Sequence, residues 1–198
     1  MRIANILRKV LRRLVPNNSV EKALGVDICE SGVMQNAIEL WHNMYKNEPP
    51  WRGGKDNVIP LNLPSAISEE FARLILTEFS IEVTGSPMAA FINEQLKDQL
   101  TDLNKFVEMY CEGGAIAVKP FVTNIDENGR PTAIELDFVK AVDFFPCAFN
   151  NKGEITAAVF VEGKKIGDYL YTRLEYHELT GMTYTIINKA FKSEEIYQ

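Results

Sequence analysis

Apolar residues recur at two different spacings along this chain, and the change falls at Gly113-Gly114. Before that pair the spacing is helical. Ile3, Ile6, Leu7, Val10, Leu11 and Leu14 form a first stripe, ended by Pro16-Asn17-Asn18-Ser19. Val33, Met34, Ala37, Ile38, Trp41 and Tyr45 form a second, over Glu30–Lys46. A Pro/Gly-dense loop, Asn47 to Pro60, separates it from a third helix opened by Pro64, with Ile67, Phe71, Leu74 and Ile75 as its apolar face. Ile81–Val83 is a brief strand candidate. Ser86-Pro87 starts a long fourth helix through Ile92, Leu96, Leu100, Leu103, Val107 and Tyr110 to the glycine pair. The pair is read as a structural hinge, because a helix end needs a residue that tolerates positive φ.

After Gly114 the period becomes that of strands. Ala115–Val118 is a short strand closed by Pro120. Asn128-Gly129 predicts a hairpin turn, and Ile134, Leu136 and Phe138 alternate with acids. Asn150–Gly153 is a further turn, followed by strands near Ile155–Val161, Asp168–Leu179 and Met182–Lys189, with turns at Glu162-Gly163 and Thr180-Gly181. Helices followed by antiparallel hairpins predict an α+β fold. The expected organisation is a basic amphipathic helix over 1–16 and one α+β domain over 30–198, helical to about 112 and stranded over 115–190.

Charge changes this picture at one end. The 198 residues carry a net charge of −6, yet Arg2, Arg8, Lys9, Arg12 and Arg13 precede any acid, the first being Glu21. These five are the candidate partner-interface residues. The ordinary reading is a terminal helix docked on its own body with a solvated basic face. The alternatives are a helix for an acidic partner or for a membrane surface. The acidic remainder argues against coating nucleic acid. No run approaches the length of a membrane span, and Cys29, Cys111 and Cys147 form no disulfide or metal-ligand pattern.

Catalytic motifs are missing. There is no phosphate loop, dinucleotide fingerprint, nucleophile elbow or zinc-helix pair. His177 with Glu175 and Cys111 is a conceivable nucleophile–base set, but an exposed strand histidine among charges is ordinarily a surface residue. Asp137 and Asp143 are conceivable paired carboxylates and more simply solvent-facing strand acids. Trp51 reads as a loop anchor packed on the domain before it reads as a binding residue. The sheet aromatics read as core. No catalytic residue, cofactor site or metal site is expected, and the chain is not expected to be an enzyme.

The order of the remaining features carries a resemblance. Trp41-x-x-x-Tyr45 leads into the Pro/Gly loop with Trp51, then Asn62, then Ala72-Arg73-Leu74-Ile75. Glu112 to Phe121 follows, then Ile134-x-Leu136-Asp137-Phe138-Val139, Asp143-x-Phe145-Pro146, Tyr171 to His177, and Tyr184-x-Ile186-x-Asn188-x-x-Phe191-x-Ser193. From Trp41 onward this resembles the N-terminal wing part of the portal proteins of long-tailed bacteriophages and prophages of Gram-positive hosts.

The resemblance implies a subunit of a homo-oligomeric ring, usually dodecameric, at the capsid portal vertex. Double-stranded DNA passes through that ring during packaging and ejection without tight or specific binding. The implied partners are other portal subunits, the terminase, capsid and scaffold proteins and the head–tail adaptor, with no membrane. The implied location is the virion, and the host cytoplasm during assembly. Family members are considerably longer, and the residues to Gln198 offer no stem or clip candidate, so the expectation is either a truncated or split portal or a wing alone. The competing expectation is a capsid-associated or tail-completion interaction protein without a channel.

Overall fold

A computed structural model describes residues 17–52 and 59–194. The basic segment 1–16, with Arg2, Arg8, Lys9, Arg12 and Arg13, lies outside the described residues. The architecture is α+β, with five α-helices among the described residues followed by two antiparallel sheets of two and four strands. The described residues cluster into two compact units. Val33–Val142 is one, and the residues up to Gly32 with those from Asp143 form the other.

In the second of these, helix α1 (Asn17–Leu24) precedes the four-stranded sheet in sequence. Asn17, Asn18 and Ser19 lie at the start of this helix, while the helix they were expected to follow lies outside the described residues. Such residues compete with the backbone inside helices and favour their starts. The sheet runs β3 (Phe144–Phe149), β4 (Ile155–Ile166), β5 (Tyr169–Thr180), β6 (Thr183–Glu194) in that order. Val20 of α1 is buried with Ala157, Val159, Leu174 and Tyr176, which is this unit's core. The expected turn at Glu162-Gly163 lies inside β4, where Gly163 pairs with Thr172. The chain turns at Gly167, whose φ of +60° suits the hairpin.

The other unit holds α2 (Gly32–Tyr45), α3 (Leu63–Ile75), α4 (Ala89–Gln99), α5 (Leu103–Gly113) and the hairpin of β1 (Ile116–Ile125) and β2 (Pro131–Lys140). The expected long fourth helix is therefore two, broken around Thr101-Asp102, residue types that suit a cap better than a helix interior. Ile81–Val83 is not a strand. Asn93 holds it instead, bonding both N–H and C=O of Val83. β1 does not stop at Pro120. It continues to Ile125, and Pro120 faces Leu136 at a position whose missing N–H would point away from β2.

α3 departs furthest from expectation. The helix is where its pattern places it and packs on α5, but its buried residues are Ser68 and Ala72. Ile67, Phe71, Leu74 and Ile75 are each more than half exposed. Small side chains allow a close helix–helix approach, so the large ones are turned aside.

Candidate functional site

The glycine pair splits into two roles. Gly114 caps α5 at φ +73°, with its N–H on the Tyr110 carbonyl at 2.8 Å. Gly113 is still helical and buried, and a Cβ there would lie 3.2 Å from that of Ala141. One position needs the left-handed region and the other needs room.

Two residues before the cap, the helix brings a carboxylate inside. Glu112 is buried, with its side chain only 3% exposed. One of its oxygens meets His42 Nδ1 from α2, and the other accepts from Lys140 Nζ of β2 at 2.6 Å. Burial works to raise the Glu112 carboxyl, but the bonds from His42 and Lys140 outweigh it and hold the group below the usual carboxylate range. Beside this cluster Tyr45 donates to Glu108 at 2.5 Å, and its phenol is pushed up by burial and then by that carboxylate. Helix α2, helix α5 and strand β2 are thus tied by charge at one place. Both carboxylate oxygens are occupied, so the arrangement fixes structure and offers no open position to a substrate.

The second polar group lies in the four-stranded sheet. His177 is half-buried, contrary to the exposed position expected from its neighbours, because Phe160 packs edge-on against its ring at 5.0 Å. Its Nδ1 meets the Tyr184 hydroxyl and its Nε2 meets Glu175 at 2.5 Å. Glu175 in turn contacts Arg173 at 3.2 Å, and Arg173 reaches Glu162 at 2.7 Å. A tyrosine–histidine–glutamate line has the order of a nucleophile, base and orienter. The Tyr184 phenol, however, is raised by burial and then by Glu175, which disfavours the nucleophilic phenolate. Both imidazole nitrogens are already engaged.

The remaining candidates disperse. Cys111 sits on α5, in the other unit from His177, and its thiol is pushed up by burial and by Glu108. Asp137 pairs with Lys119 across the β1–β2 hairpin at 3.0 Å, while Asp143 belongs to the other unit. Trp51 is 61% exposed in a short 3₁₀ turn, so it is not the packed anchor expected. Among the described residues no cluster of His, Cys, Asp or Glu is arranged to hold a metal ion. No described helix is long and apolar enough to cross a membrane.

What the sequence reading missed is a surface. Leu63, Ile67, Phe71, Leu74 and Ile75 line one side of α3 and are all 53–56% exposed. The 3-and-4 spacing of Ile67, Phe71, Leu74 and Ile75 marks an apolar face but does not say whether that face is covered. The small residues Ser68 and Ala72 on the neighbouring face were the available sign that the packing lay there. Comparison with protein-family models, with curated proteins and with solved structures found no match.

Proposed function

We propose that the chain is a structural assembly subunit, the N-terminal wing part of a phage portal protein, working as one copy of a ring at the capsid vertex. The observation that supports this best is the outward apolar stripe of α3. A contiguous apolar face of this kind belongs in contact with another protein surface. The ordered residue resemblance from Trp41 to Ser193 supplies the more specific part of the reading. The two polar clusters, each internally satisfied, fit a body that must hold its shape under load.

The test is the native mass of the purified chain together with a Phe71→Asp variant. A closed ring of the parent, lost in the variant without loss of fold, supports the reading. A parent that stays monomeric at high micromolar concentration refutes it for these residues. Association only with a different capsid or tail component would favour the interaction protein without a channel.

A further inference from the structure

Four strand edges border the two sheets, and three of them are protected. The outer edge of β3 is met by the segment after α1: Cys29 N–H donates to the Pro146 carbonyl at 2.9 Å, and Cys29 Sγ–H to the Cys147 carbonyl at 2.8 Å. The outer edge of β2 is met by side chains of α4. The N–H groups of Ile134 and Leu136 donate to Gln95 Oε1 at 3.0 Å and Gln99 Oε1 at 3.3 Å. β1 carries Pro120. Proline and a covering helix or segment are usual means of blunting an edge.

β6 has none of these. It pairs with β5 along its whole length from Thr183 to Glu194, and among the described residues no strand pairs with its other side. Thr183 to Lys192 are all exposed. The two-residue turn at Gly181-Met182, with Gly181 at φ +61°, makes Thr180 and Thr183 a hydrogen-bonded pair. Alternation then points the N–H and C=O of Tyr184, Ile186, Asn188, Ala190 and Lys192 away from β5. The lysines of β6 do not guard this edge. Lys189 reaches back to the Ala23 carbonyl, and Lys192 Nζ lies 3.5 Å from the centre of the Tyr169 ring.

We propose that β6 pairs with β6 of a second copy of this chain, antiparallel across a two-fold axis at Asn188, joining two four-stranded sheets into one. The strand is self-complementary in this register. Asn188 faces its own copy, Ile186 faces Ala190 and Tyr184 faces Lys192. On the other face Ile187 meets Lys189 and Thr185 meets Phe191. Away from the Asn188 pair a large side chain meets a smaller or longer-reaching one, and no lysine lies directly opposite a lysine. A slip that moves the axis to Lys189 sets two lysines face to face, and a slip the other way shortens the overlap. The outward groups of both strands supply roughly ten backbone hydrogen bonds, the complement of an ordinary stable interface. This contact goes beyond the ring reading and does not rest on it, because successive copies in a closed ring of more than two are not related by a two-fold axis.

The experiment uses the full chain in analytical ultracentrifugation, with native mass spectrometry for mixtures. The parent should form dimers. Ile186→Pro with Ala190→Pro removes two outward N–H groups and leaves the β5 pairing bonds intact, so dimerisation should weaken at least about tenfold with the melting temperature nearly kept. Asn188→Lys alone and Asn188→Asp alone should each be monomeric, and mixing the two should restore a heterodimer carrying one of each. That rescue occurs only if residue 188 faces its own copy. A parent with no dimer, or variants that dimerise as the parent does, overturns the proposal. Rings without a two-fold dimer overturn it while leaving the ring reading standing. Dimers without rings support it and count against the ring.

Discussion

Replacing Glu112 by glutamine tests whether the buried charge cluster holds its unit together. The side chain keeps its shape and loses only its charge, while His42 and Lys140 stay in place. Breaking a buried pair by neutralising one partner costs about 3–5 kcal/mol, because the other charge is left without compensation. Two facts place this case at the lower end. The Lys140 side chain is 20% exposed and can turn toward water, and an imidazole can shed its proton near neutral pH. A loss of about 3 kcal/mol lowers the melting temperature by roughly 6–12 °C in a protein of this size. The pH dependence gives an independent check. The folded Glu112 carboxyl lies below its usual value of 4.5. Its stabilisation is therefore complete above that pH and is lost as pH falls through the depressed folded value. Thermal melts of parent and variant, recorded from pH 7 down to pH 3, should converge at the acid end. A variant melting within a degree or two of the parent at pH 7, or a gap that widens in acid, would show that the cluster does not stabilise the fold.

Other perturbations give sharper local outcomes. Gly114→Val places a β-branched residue at φ +73° and should cost about 1–2 kcal/mol or more in a urea melt. Gly113→Val meets the Ala141 side chain and should cost about 1–3 kcal/mol through overpacking. Thiol labelling at pH 8 should modify exposed Cys29 quickly and spare Cys147, whose thiol is pushed up to about 11 by burial and then by Cys29. Equal labelling rates at the two would refute that account. Phe71→Asp should change stability by no more than about 0.5 kcal/mol in a urea melt, since the residue is already more than half exposed.

The α+β class and the β1–β2 turn were legible because period and turn chemistry agree there: Asn128-Gly129 lies between two alternating runs, and Gly129 takes φ +76°. Where two glycines competed for a turn, local chemistry did not decide. Gly163 lies in β4 and Gly167 in the turn, a choice made by the ten-residue pairing of β4 with β5. The apolar face of α3 was legible and its exposure was not, because an apolar stripe indicates what must leave water, not which molecule covers it. His42, Glu112 and Lys140 are distant in sequence, and none carries a local mark of its partners. The left-handed cap at Gly114 was legible, whereas the crowding at Gly113 depends on Ala141, which is contributed from the far end of the hairpin.

The two glutamines that bind β2 set a mechanical condition on their helix. Gln95 and Gln99 stand four residues apart on α4, a rise of about 6.0 Å, and their targets Ile134 and Leu136 stand two apart on a strand, about 6.8 Å. The two rulers nearly coincide, so both teeth engage at once. A displacement of α4 along β2 by less than a full tooth disengages both and leaves two strand N–H groups bare. Motion of this helix against this strand is accordingly stepped, and a pull along the strand meets a detent at each step instead of a smooth slide.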